Sequence, residues 1–162
     1  GYEISMGTLT VTVVAPPERL TAAASSSVVI SREGSVATAK NISAMLTADE
    51  VAAMFNEDCV ILDASGNKVT SGYVGTGFKA VHYSASGSVD DELVIIVTAD
   101  VNGDGLANGK DIVKMRKAVE NGADVGYAEA ADVNGDFVID SADASKILEY
   151  YAALSTGQKP PW

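Results

Sequence analysis

Oxygen-bearing side chains recur in the C-terminal part of this chain at a spacing that suits one kind of chemistry. Asp100, Asn102, Asp104, Asn108 and Asp111 stand at positions 1, 3, 5, 9 and 12 of a twelve-residue stretch. Asp132, Asn134, Asp136, Asp140 and Asp143 repeat the pattern at the same positions. Carboxylates crowded in this way repel one another unless something positive sits between them. A hard divalent cation is the natural occupant, because it takes several oxygens in loose geometry.

The spacing is that of the EF-hand calcium loop, with Asp in place of Glu at position 12. Such a loop also offers one backbone carbonyl at position 7, here that of Leu106 or Val138. Two Ca²⁺ ions are therefore expected. Zinc fits poorly, since this part holds neither cysteine nor histidine. Magnesium would keep more of its water. Position 6 separates the copies: it is Gly105 in the first and Phe137 in the second. A positive φ there would cost a bulky residue about 1 kcal/mol. The second site is then weaker, or its aromatic ring is packed as an anchor.

The elements that must position these loops are legible nearby. Asn108 and Asp140 are placed as N-caps, with Asp111 and Asp143 three residues on in the first helical turn. Apolar residues then follow at helical spacing, Ile112, Met115 and Val119 after the first loop, Ile147, Leu148, Tyr151 and Leu154 after the second. Position 8, Ala107 or Ile139, should face the core. The N-terminal part reads differently, as strands at residues 9–14, 26–31, 35–40, 59–63, 78–83 and 92–98. Pro16 and Pro17 end the first, a turn at Glu33 and Gly34 joins the next two, and Asp90, Asp91 and Glu92 read as a solvated turn. Thr47 to Glu50 forms a capping box before a short helix burying Val51, Met54 and Phe55.

The expected architecture is two modules. Residues 1–98 form a small β-rich, β-sandwich-like module with one short helix, whose first 17 residues could be the end of an upstream module. Residues 99–162 form an all-α module with two loop–helix calcium motifs. No Gly/Ser-rich or Pro-rich linker separates them, so they should abut. Metal ligation should supply much of the second module's stability, so a chelator should unfold residues 99–155 and leave the first module folded.

Composition excludes several functions. The 162-residue chain has a formal net charge of -11, which disfavours a nucleic-acid partner and gives no attraction to an anionic membrane. No apolar run approaches the roughly 20 residues needed to span a bilayer. One cysteine excludes an internal disulfide. Cys59 reads as a small buried apolar group and His82 as a structural residue without a catalytic partner. No nucleophile–base pair suggests an enzyme. Tyr73, Phe78 and Tyr83 read as core residues rather than a sugar-binding platform. The chain opens at Gly1 without a signal sequence, as a segment of a longer protein would.

The duplicated unit, DVNGDG with N-x-x-D and then DVNGD with D-x-x-D, resembles the type I-like dockerin module of cellulosomes over residues 99–155. The resemblance implies a non-catalytic, secreted, extracellular or cell-surface-associated protein that is monomeric when unbound. Its partner would be a cohesin module of a scaffoldin, and the parent protein would be docked into a polysaccharide-degrading complex. It also implies partner contacts at loop positions 10 and 11 and helix positions 17, 18 and 22. These are Gly109, Lys110, Arg116, Lys117 and Asn121 in the first copy and Ser141, Ala142, Leu148, Glu149 and Ala153 in the second. The copies match poorly, which implies one binding mode rather than two. Residues 1–98 resemble the X-type modules that precede some dockerins, through Gly75, Thr76 and Gly77, the apolar run at 93–97 and its direct passage into Asp100. Trp162 could clasp the module's ends together. The rival readings are a calcium-stabilised adhesin or cell-wall spacer, and carbohydrate binding by the first module.

Overall fold

The computed structural model describes residues 17–33 and 36–158. The expected strand at 9–14, Gly34 and Trp162 lie outside the described residues. The first part is a five-stranded mixed sheet. Its strands are β1 (Val29–Ser31), β2 (Thr38–Ile42), β3 (Val60–Leu62), β4 (Lys79–Tyr83) and β5 (Val89–Val97), in the spatial order β1-β2-β5-β4-β3. Only β2 and β5 run parallel. A short helix, α1 (Ala48–Ala52), links β2 to β3, and its capping box at Thr47 and Glu50 is formed as the sequence suggests. Val51 and Phe55 are buried and Met54 is half-buried. The described strands form one sheet, not two facing sheets, so the β-sandwich-like expectation is corrected. β1 pairs with β2, and β2 pairs with β5, along one layer instead of folding back over it.

β5 is the central strand and explains the layering. Successive side chains point to opposite faces. Leu93, Ile95 and Val97 enter the main core, while Val94 and Ile96 pack on the other face with Ala130. Asp90, Asp91 and Glu92 are part of β5, not a solvated turn. Asp91 accepts hydrogen bonds from the Leu20 N–H (2.9 Å) and from Arg32 Nη1 (2.9 Å), which ties the chain's first described segment to the sheet. Burial alone would raise the Asp91 pKa, but the bonds from Arg32 and Leu20 and the Arg32 charge hold it below its ordinary value.

The second part is helical: α2 (Gly109–Asn121), α3 (Ala128–Ala131) and α4 (Ser141–Ser155). α2 and α4 pack on each other through Met115, Ile147 and Tyr150, all buried. α3, which the sequence does not announce, lies against β5, with Ala130 buried between Val94 and Ile96 and Glu129 paired with Lys40 at 3.5 Å. The two parts share one buried cluster. It runs from Leu20, Val51 and Ile61 through Ile95 and Val97 to Val101, Met115, Ile147 and Tyr150. The Tyr150 hydroxyl accepts the buried Ala44 N–H at 3.4 Å. Among the described residues, no helix is long and apolar enough to cross a membrane.

Candidate metal centre

Both loops are folded by their own carboxylates. In the first, Asp100 Oδ1 accepts the N–H groups of Gly103 and Asp104, at 2.9 and 3.1 Å. Asp100 Oδ2 accepts that of Gly105 at 2.9 Å. In the second, Asp132 Oδ1 accepts from Gly135 and Asp136, and Oδ2 from Phe137. Asn102 and Asn134 accept from the residues two ahead, as Asx turns do. Asp104 and Asp136 accept from the N–H of Leu106 and Val138, the residues whose carbonyls occupy position 7.

Each loop runs into its helix through a capping box. Asn108 accepts from Lys110 N at 2.8 Å, and Asp111 Oδ2 accepts the Asn108 N–H at 2.8 Å. Asp140 and Asp143 do the same for α4. The position-12 carboxylates also reach back to the loop starts: Asp111 accepts from Asn102 N, and Asp143 from Val133 N and Asn134 N. Position 8 turns inward as expected, with Ala107 buried and Ile139 half-buried against the core.

The result is two carboxylate triads. Asp100, Asp104 and Asp111 offer oxygens within 4.8 Å of one another, and so do Asp132, Asp136 and Asp143. In the first triad Asp100 and Asp111 are fully buried. Burial pushes both carboxyl groups above their ordinary pKa, against the hydrogen bonds that favour ionisation, and the neighbouring carboxylates push the same way. The cation that an ion-pair distance records on this triad is Lys110, exposed and 3.2 Å from Asp104 Oδ2. An all-oxygen set with this density of negative charge fits a hard divalent cation. Asp100, Asn102, Asp104, Asn108, Asp111 and the Leu106 carbonyl could hold one ion, and their counterparts up to Asp143, with the Val138 carbonyl, a second.

Position 6 resolves the Gly105 and Phe137 difference. Both residues have positive φ, 78° at Gly105 and 67° at Phe137. The Phe137 ring is 95% exposed, so it is not packed as an anchor. At Gly105 a side chain has no room: an added Cβ would lie 2.8 Å from Tyr73 Cβ and 2.9 Å from the Val74 carbonyl oxygen.

Those contacts come from the sheet module. Its 73–77 segment and its 44–46 segment enclose the first loop. Thr76 N–H donates to Asp100 Oδ2 at 2.9 Å, and Met45 N–H donates to the Gly105 carbonyl at 2.9 Å. Thr76 is itself fixed, its hydroxyl donating to the Val97 carbonyl and accepting the Val97 N–H. Thr76 was not foreseen as a site residue. Two glycines flanking one threonine are the signal that marks it, since glycine is favoured where backbones approach closely. Tyr73, expected in the core, is 41% exposed and lies over Gly105; Tyr83, at the end of β4, is 40% exposed.

The implied partner contacts fall on the α2–α4 surface. Arg116, Ser141 and Leu148 line one groove together with Ile112, Val119 and Ala144. Gly109, Lys110, Lys117, Asn121, Ala142 and Glu149 are exposed around it, and Ala153 is half-buried. Glu149 pairs with Lys146 at 3.6 Å. The remaining chemistry-bearing side chains lie elsewhere. Burial pushes the half-buried Cys59 thiol up to about 11, and His82 sits on the Asp58 carbonyl, at 2.6 Å from Nδ1.

Residues 98–150 match the dockerin type I domain family, so the chain carries a dockerin module over that stretch. No curated protein and no solved structure matches the chain.

Proposed function

We propose that this dockerin module binds two Ca²⁺ ions and, when loaded, docks its parent protein onto a cohesin of a scaffoldin in a cellulosome-type complex outside the cell. The observation that carries this reading is the pair of carboxylate triads, each closed by a capped helix, within the stretch that matches the dockerin family. Calcium would be held by the twelve residues named above. The module catalyses nothing; its work is recognition. We place its boundary with the sheet module at residues 98 and 99, and assign to the sheet module the role of supporting the dockerin.

The binding face would be the α2–α4 surface. Its groove combines the Arg116 guanidinium with the exposed apolar side chains of Val119 and Leu148. Buried apolar anchors and arginines carry most of the energy in protein interfaces. The copies differ in what they offer, Arg116 and Lys117 against Leu148 and Glu149, so one binding orientation is favoured over its half-turn alternative.

A calcium-dependent pull-down against a panel of cohesins tests the proposal. Capture of one cohesin in calcium, lost in chelator and weakened about tenfold or more by Arg116→Ala with Leu148→Ala, is expected for central contacts. Calcium binding with no cohesin captured would favour a calcium-stabilised spacer. Retention of the chain on a polysaccharide gel would favour carbohydrate binding.

A further inference from the structure

The two loops have nearly the same internal hydrogen bonds, and that makes their surroundings a controlled comparison. Asp100 and Asp132 each accept three N–H groups from their own loop. Asp100 accepts a fourth, from Thr76, across a gap of 24 positions in sequence. Asp100 is fully buried and Asp132 is not. The glycines show the same asymmetry. An added Cβ at Gly103 would lie 2.9 Å from the Thr76 carbonyl oxygen, whereas one at Gly135 would meet nothing within 4 Å.

We infer that the sheet module is a structural part of the first calcium site, with Thr76 as a positioning residue that orients the Asp100 carboxylate, while the second site is built by its own loop alone. This rests on the calcium reading above and goes beyond general support, because it assigns the support to one loop and one hydrogen bond. Partners of this kind fix the direction and basicity of a metal ligand. Thr76 is held to β5 by both bonds of its hydroxyl to Val97, so the position of the Asp100 carboxylate follows the sheet. Gly75 is what permits the approach. A methyl group there would overlap the Gly103 carbonyl oxygen and lie 2.7 Å from its carbon. Its φ is not in the left-handed region, so Gly75→Ala adds a steric wedge without imposing backbone strain.

The test uses the full chain in two single-site backgrounds, Asp136→Ala to leave the first site and Asp104→Ala to leave the second. Calcium binding is measured by titration calorimetry with and without Gly75→Ala. The wedge should weaken calcium at the first site by about tenfold or more and change the second by less than about twofold. Equal weakening at both sites, or none at the first, would overturn the inference. If neither single-site chain takes up calcium while Gly75 is intact, the calcium reading itself has failed, and this inference with it. A second measurement needs no substitution. In amide spectra of the unmodified chain, the Thr76 resonance should move with calcium in step with Gly105; a Thr76 amide that stays in place through saturation also overturns it.

Discussion

Met115 offers a direct test of whether the sheet and the helices stand or fall together. It lies on α2 in the dockerin module, is fully buried, and belongs to the cluster that also holds Ile95 and Val97 of β5. Met115→Ala removes the outer atoms of the side chain and leaves a cavity between α2, α4 and the sheet. Such changes cost about 2–5 kcal/mol, depending on how far the site collapses. A central loss of about 3 kcal/mol, divided by a urea slope of about 2 kcal/mol/M, lowers the midpoint by about 1.5 M. The assay is urea unfolding in saturating calcium, with the far-UV signal reporting the helices and the amides of Ala39 and Ile95 reporting the sheet. Because the cluster is continuous, both probes should move together and by the same amount. A helical transition displaced by about 1.5 M while the sheet amides keep their original midpoint would refute the reasoning, and would mean that the seam contributes little.

Chelation should follow the same logic. The shared core predicts that excess EGTA removes about 4 kcal/mol of stability per site, for calcium held at about a thousand times its dissociation constant, and so lowers the midpoints of sheet and helices together, not those of residues 99–155 alone; sheet amides unmoved by EGTA would contradict this. Phe137→Gly should leave stability in calcium unchanged or raise it by up to about 1.5 kcal/mol, since it relieves a left-handed residue costing about 1–2 kcal/mol against about 0.5–1 kcal/mol of added chain entropy. Gly105→Ala at the equivalent position should lower it, and thermal unfolding of the pair checks both. Asp91→Asn should cost about 1–2 kcal/mol at neutral pH, as a half-buried hydrogen bond to a charged group does once water screens it. The folded pKa of Asp91 lies below its ordinary value of 3.8, so its contribution is present above that pH and is lost as pH falls through the lowered folded value. The gap between the two proteins should therefore close in denaturant melts taken below about pH 3.8.

The two acidic loops were legible because their chemistry is local. Oxygen-bearing side chains at alternate positions, N-caps at Asn108 and Asp140 and an inward residue at position 8 depend only on spacing within a dozen residues, and α2 and α4 start where those caps stand. What the sequence hid depends on contacts between distant segments. Asp90, Asp91 and Glu92 read as a turn because three acids together avoid burial, yet Arg32 and the Leu20 N–H draw Asp91 into β5. α3 is only four residues long and has no side-chain cap, so nothing announces it before Ala130 meets β5. The single sheet followed from pairings, β2 with β5 above all, that no periodicity specifies.

The difference between Gly105 and Phe137 shows how a departure in a repeat should be weighed. From sequence alone, Phe137 is the anomaly, because glycine is the usual residue for a sharp turn and a bulky one carries strain. The structure gives both residues similar positive φ, so backbone strain alone does not separate them. The packing does. Around Phe137 the ring has open solvent, and the cost of keeping it is the left-handed conformation alone. Around Gly105 any side chain would collide with Tyr73 and Val74, so its cost is strain plus displacement of the sheet module. The constrained position is therefore the one that looks ordinary. Its constraint comes from a segment some thirty residues upstream, which also donates the Thr76 hydrogen bond to the same loop. A close approach and a shared hydrogen bond, made by neighbouring residues of one segment, tie the first loop to the sheet, whereas among the described residues a Cβ at Gly135 of the second loop would meet nothing within 4 Å.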